Sequence, residues 1–122
     1  MITSKFFREA EFQRLTPACS LQDMKQDTMD MLDKARAASG VPYVLTCAYR
    51  SVAWDKAKGR DGRSAHTTGH AVDIAATTSG QRLAIVRGLI AAGCRRIGIG
   101  KNFIHADNDP SKPQDVMFHY YG

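Results

Sequence analysis

The stretch SAHTTGHAVDI, residues 64–74, puts two of the chain's four histidines and one aspartate within eleven positions. Imidazole nitrogen and carboxylate oxygen are donor atoms that zinc takes readily, so the first question is whether these side chains can meet. On a helix, His66 and Asp73 would lie about 10.5 Å apart along the axis, too far to share one ion. Gly69 and the β-type residues after it predict instead a loop that turns into a strand over 70–75. In that strand Ala71, Asp73 and Ala75 share one face, and His70, Val72 and Ile74 share the other. Asp73 is therefore expected where small neighbours leave room for an ion, and His70 is expected to point away from it.

The best source of a third donor is FIHAD, residues 103–107. His105 sits there in a short apolar strand, a costly place for an imidazole without a partner. Two imidazoles and one carboxylate suit zinc with its fourth position open to water, the pattern of a catalytic site. Water bound there is acidified toward neutral pH and becomes a nucleophile. Spacing alone is equally compatible with a satisfied polar pair of histidine and aspartate. Asp107 shares the face of His105, roughly 7 Å along the strand.

The elements that must position these residues are legible in outline. Residues 1–19 read as irregular with a short helix, ending at Thr16-Pro17. Ser20 to Asp23 reads as a capping box that opens a helix. In it Met24, Thr28, Met31 and Ala35 recur at helical spacing, Asp27, Asp30 and Asp33 face away, and Gly40 stops it. Residues 41–49 are β-rich and predict a strand, and 50–69 a long loop with Gly59, Gly62 and Gly69. A second helix starts at Ser79, with Leu83, Val86, Leu89 and Ile90 on one face and Gly93 closing it. Residues 95–100 and 103–107 predict two short strands joined at Lys101-Asn102, and 116–121 a last strand. The fold class is α+β: a small, mostly antiparallel sheet carrying the zinc site, packed with two main helices. At 122 residues, one domain spanning 1–122 is expected.

SAHTTGHAVDI followed by FIHAD, with AYRS upstream at 48–51, resembles the zinc D-Ala-D-Ala carboxypeptidase and L-alanyl-D-glutamate endopeptidase family. The matching patterns are S-x-H-x-x-G-x-A-x-D-I and F-[IV]-H-x-D, in family order, and the likeness runs from TPACS (16–20) through Asp107. The hedgehog signalling domain shares this metal-site plan. The resemblance implies that His66, Asp73 and His105 bind one Zn2+ ion. It implies that Arg50 steadies the scissile carbonyl oxygen or a substrate carboxylate, a role that suits a permanently charged guanidinium. It also implies that Ser64 binds substrate or orients the site. The chain departs from the family at the general base: residues 95–104 contain neither a carboxylate nor a histidine. Asp107 is the nearest candidate, as catalytic base or as a group orienting His105, and His119 is the next. Trp54, Asp55, Lys56, Lys58 and Arg60 either line the cleft or are solvated.

Seventeen basic against twelve acidic side chains leave a net charge of +5, which favours an anionic partner. The basic residues are scattered, which argues against a nucleic-acid tail. Cys19, Cys47 and Cys94 are odd in number and widely spaced, so neither a thiolate zinc finger nor a disulfide framework is indicated. They read as small buried residues in a reducing compartment. The N-terminal MITSKFFREAEF carries no signal-peptide or membrane-anchor pattern. The expectation is a monomeric zinc peptidase acting on peptidoglycan stem peptides, with neither nucleic acid nor membrane insertion. Synthesis in a cytoplasm and action on the cell wall after release, or from a virion, would suit a phage or prophage lysis enzyme. Two rivals are a zinc-binding module without catalysis and a basic nucleic-acid-binding domain.

Overall fold

The computed structural model describes residues 1–120. Four helices and five strands follow in the order α1 (Glu9–Gln13), α2 (Gln26–Ser39), β1 (Leu45–Cys47), α3 (Val52–Ala57), β2 (Ala71–Ala75), α4 (Ser79–Ala91), β3 (Arg96–Ile99), β4 (Phe103–Asp107) and β5 (Val116–His119). Two 3-10 turns, Leu21–Asp23 and Ala65–Thr68, precede α2 and β2. The strands form one sheet in the order β1-β2-β4-β3-β5, antiparallel at every pairing except β3 with β5. This is the expected α+β class. No helix among the described residues is long and apolar enough to cross a membrane.

Along β2 and β4, Val72, Ile74, Ile104 and Ala106 are fully buried in one core with Met29, Leu32 and Ala35 of α2 and Ile85 and Leu89 of α4. Burying one such Val, Ile or Leu side chain contributes about 1.5–3 kcal/mol, which pins the register of both strands. Asp73 and His105 alternate with these residues and take the opposite face of the sheet.

The Met24, Thr28, Met31 and Ala35 stripe is buried as its spacing predicts, and Asp27 and Asp30 are exposed. Asp33 is only partly exposed, because its carboxylate accepts from Ser4 Oγ and the Lys5 and Phe6 amides. Gly40, with φ of 71°, ends α2 in the left-handed region.

The structure departs from expectation at four places. The Ser20 capping box caps the 3-10 turn, and α2 starts only at Gln26; the Lys25 amide donates to Gly69 O at 2.9 Å, outside helical pairing. In the expected 41–49 strand only Leu45–Cys47 is strand, and Tyr43 is drawn into the core, where its hydroxyl donates to Ile85 O. The expected 50–69 loop contains α3, whose N-cap Ser51 accepts from the Trp54 amide. In α4 the buried stripe is Ile85, Gly88 and Leu89, while Leu83 and Ile90 are exposed. This helix is apolar on most sides, so its sequence alone does not tell which side faces α2. The β3–β4 hairpin forms as expected. β5 ends at His119, and position 121 of the expected last strand lies outside the described residues.

Candidate functional site

The β2–β4 register sets Asp73 beside His105, and the 3-10 turn Ala65–Thr68 delivers His66 above them. Asp73 Oδ1 lies 3.4 Å from His66 Nε2 and 3.1 Å from His105 Nδ1. The two rings stand edge to face with centroids 5.1 Å apart. The three residues singled out in the sequence are thus brought together, and His70 stays apart against Thr68 Oγ1.

Each ring has its other nitrogen engaged. His66 Nδ1–H donates to Ala48 O at 2.6 Å, and His105 Nε2–H donates to Asp107 Oδ2 at 2.6 Å. A carbonyl and a carboxylate can only accept, so in the neutral rings the lone pairs sit on His66 Nε2 and His105 Nδ1. Both face Asp73 Oδ1. Tetrahedral zinc with bonds of 2.0–2.1 Å would hold its donors about 3.3 Å apart, a value bracketed by the 3.1 and 3.4 Å separations here. The donor set therefore fits a zinc ion in chemistry, and the two separations to Asp73 match tetrahedral spacing. Without metal, a proton takes that place. Burial opposes charge on His66, but its contacts with Asp73 and Cys47 lift its pKa to about 9. Burial likewise opposes charge on Asp73, and His105 and His66 together hold its carboxyl well below the usual range.

From the sequence, Asp107 is open between two roles, catalytic base and partner that orients His105. It is fully buried behind His105 and does not line the cleft. Its Oδ2 holds the His105 ring, and its Oδ1 accepts from Arg96 Nε at 2.7 Å and the Asp109 amide at 3.1 Å. Both oxygens are committed, so its placement supports orienting His105 and not catalysis as a proton acceptor. Burial pushes its pKa up, but the His105 contact foremost keeps it below the ordinary value. His119 alternates on β5 with Phe118, which packs on His105, and so takes the other face. Among the described residues lining the cleft, Asp73 is the one carboxylate.

Arg50 is buried at the wall of the same cleft, whose volume of about 330 Å³ is at the low end for a ligand site. Its Nε lies 3.0 Å from Asp55 Oδ1, an ion pair out of line for a hydrogen bond. Its Nη2 donates to Ser64 Oγ at 3.2 Å, and that hydroxyl donates on to Asp55 Oδ2 at 3.2 Å. Ser64 lines the cleft as well as bracing the arginine.

Several residues at the site escaped the sequence reading. Cys47 pairs in register with Asp73, and the donor atoms of Cys47, His66 and Asp73 lie within 4.8 Å of one another. Its Sγ also accepts from Arg50 Nη1 at 3.6 Å, so this is not merely a packing cysteine. Gly98 neighbours His105 across β3–β4, and a Cβ there would fall 2.5 Å from the Phe118 ring and 2.9 Å from Tyr120. Only glycine lets those aromatics lie over the strand, with Phe118 5.6 Å from the His105 ring. A glycine between Ile97 and Ile99 inside a strand was the available signal of such a close approach. Of the residues at 54–60 that the sequence leaves open between cleft and solvent, Asp55 is fully buried and Arg60 lines the cleft.

An α+β sheet presenting convergent imidazole and carboxylate donors beside a buried arginine has the layout of a hydrolytic metalloenzyme. The Peptidase M15 family model matches residues 5–107, and the chain belongs to that family of peptidases. This bears out the resemblance carried by the two motifs. Among solved structures, the fold is similar to the crystal structure of Serratia marcescens L-Ala D-Glu endopeptidase ChiX, with a TM-score of 0.54 and 21% identity over 86% of this chain and 89% of that one. Comparison with curated protein sequences finds no match.

Proposed function

We propose that the protein is a zinc metallopeptidase that hydrolyses peptide bonds of bacterial peptidoglycan. The observation that carries this reading is the convergence of the His66 and His105 lone pairs on Asp73, in a cleft walled by Arg50, within a peptidase-family chain. His66, Asp73 and His105 are the residues that would hold zinc. Bound there, zinc supplies Lewis-acid polarisation of the scissile carbonyl and lowers the pKa of water.

The chain's own groups supply charge stabilisation and positioning. Arg50 is a fixed cation aimed at the negative charge that develops on the carbonyl oxygen, and removing one such donor typically costs about 10²–10³-fold in kcat. Ser64 and Asp55 hold its guanidinium, so no reorganisation is needed as that charge forms. Asp107 keeps the proton of His105 on Nε2 and leaves Nδ1 facing the cleft. Tyr120, its pKa pushed up to about 12 by burial and then by Asp73 and Asp107, stays protonated and acts as a hydrogen-bond donor in the cleft wall.

Purified peptidoglycan digested with zinc-loaded protein should release new amino termini, and the product masses report which bond is cut. A chelator should abolish this activity and added zinc restore it. Absence of turnover with one equivalent of zinc bound would overturn the reading in favour of a non-catalytic zinc module. A phage or prophage lysis role belongs to the same proposal, supported by the motif resemblance. It predicts digestion of intact cell walls by the protein supplied from outside.

A further inference from the structure

Two guanidinium groups wall the cleft, and one buried carboxylate serves both. Asp55 Oδ1 is 3.0 Å from Arg50 Nε and 3.7 Å from Arg60 Nη1, while Asp55 Oδ2 accepts from Ser64. One negative charge therefore faces two positive charges, and Arg50 holds the shorter contact. At 3.7 Å the Arg60 contact is an ion pair and not a hydrogen bond. The Arg60 side chain is 47% exposed, against a fully buried Asp55, so its donor fork is open to a ligand. Its backbone is held in place: the Arg60 amide donates to Asp55 O at 3.1 Å, and Gly59 and Gly62 turn the loop on either side with φ of 86° and 78°. Trp54 backs the guanidinium at 6.0 Å from its ring centroid.

We infer that Arg60 is a specificity-determining residue that binds a free carboxylate carried by the substrate next to the scissile bond. This rests on the peptidase reading. A carboxylate is the chemistry that fits, because guanidinium grips it through two parallel hydrogen bonds. It also supplies the negative charge that Asp55 cannot give to both arginines. An amidated substrate of the same shape offers neither charge nor a second acceptor to that fork.

The test uses two synthetic stem peptides, identical except that the acidic residue next to the scissile bond carries a free carboxylate in one and a carboxamide in the other. Steady-state cleavage by the zinc-loaded protein, and calorimetric binding of each peptide, are measured for wild type, Arg60→Gln and Arg60→Lys. Wild type should prefer the acid by about tenfold, mainly through KM. Arg60→Gln should bring the preference to within about twofold, and Arg60→Lys should retain part of it. An acid preference that survives Arg60→Gln, or a wild type with no preference in either measurement, would overturn the assignment. If neither peptide is cleaved, the peptidase reading fails on its own, and the binding preference still decides the role of Arg60.

Discussion

Asp107→Asn removes one charge and forces one proton to move. Asparagine keeps an oxygen for the Arg96 Nε and Asp109 amide donors, now at 2.7 and 3.1 Å from Oδ1, and turns its NH2 toward His105 Nε2. Nε2 must then accept where it now donates at 2.6 Å, so the ring proton shifts to Nδ1. Nδ1 is the atom 3.1 Å from Asp73 Oδ1, and with a proton on it His105 has no lone pair for a metal. Losing such an orienting partner costs about 10–100-fold in metal affinity, or about 1.4–2.7 kcal/mol. Stability falls as a separate effect, because the buried Arg96 loses its counter-charge, a change worth about 3–5 kcal/mol when a buried pair is broken. Competition with a chromophoric chelator reads the first effect, and denaturant unfolding of metal-free protein reads the second. A folded Asp107→Asn variant with zinc affinity within about twofold of wild type would refute the orienting role.

Other outcomes follow from the same geometry. His66→Ala or His105→Ala should abolish stoichiometric zinc, read by elemental analysis after gel filtration, whereas His70→Ala should keep one equivalent. Arg50→Gln should lower kcat about 10²–10³-fold with zinc affinity retained; an equal loss of metal would point to a structural role. Gly98→Ala should destabilise the fold by about 1–3 kcal/mol in urea unfolding, since its Cβ meets Phe118 at 2.5 Å. Metal-free protein should show a bounded pH window. His66, raised from 6.5 to about 9, contributes fully below pH 6.5, and its share is lost as pH rises through 9. Asp73, depressed from 3.8, contributes above that value and loses its share as pH falls below it. Zinc replaces the proton on His66, so the alkaline loss should vanish from the zinc-loaded protein's melting profile.

The strand pattern placed Asp73 and His105 because side-chain alternation is a local property: each could be assigned a face from its immediate neighbours. The β3–β4 hairpin and the α2 stripe were legible for the same reason. What failed depended on partners distant in sequence. Asp107 offers the same two oxygens to a cleft or to a buried cation, and only the arrival of Arg96 from β3 decides between them. Cys47 looks like any buried thiol until β1 pairs with β2. The exposed faces of α4 were misplaced because the helix is apolar on most sides, so α2, and not the periodicity, selects what is buried. Helix α3 was missed because the glycines at 59, 62 and 69 made the whole of 50–69 read as loop, although Ser51 caps a helix there.

The alternation of β4 also decides what kind of change this fold can tolerate. Ile104 and Ala106 fill the core while His105 and Asp107 serve the opposite face, within five consecutive residues. Insertion or deletion of a single residue in this strand would send Ile104 into the cleft and His105 into the hydrocarbon interior. Substitutions can therefore reshape the cleft by steps, as at Arg60 or Tyr120, but length variation must be confined to the connections. Even the connection between β4 and β5 is constrained, since the Asp109 amide donates to Asp107 and Pro113 O accepts from Arg96.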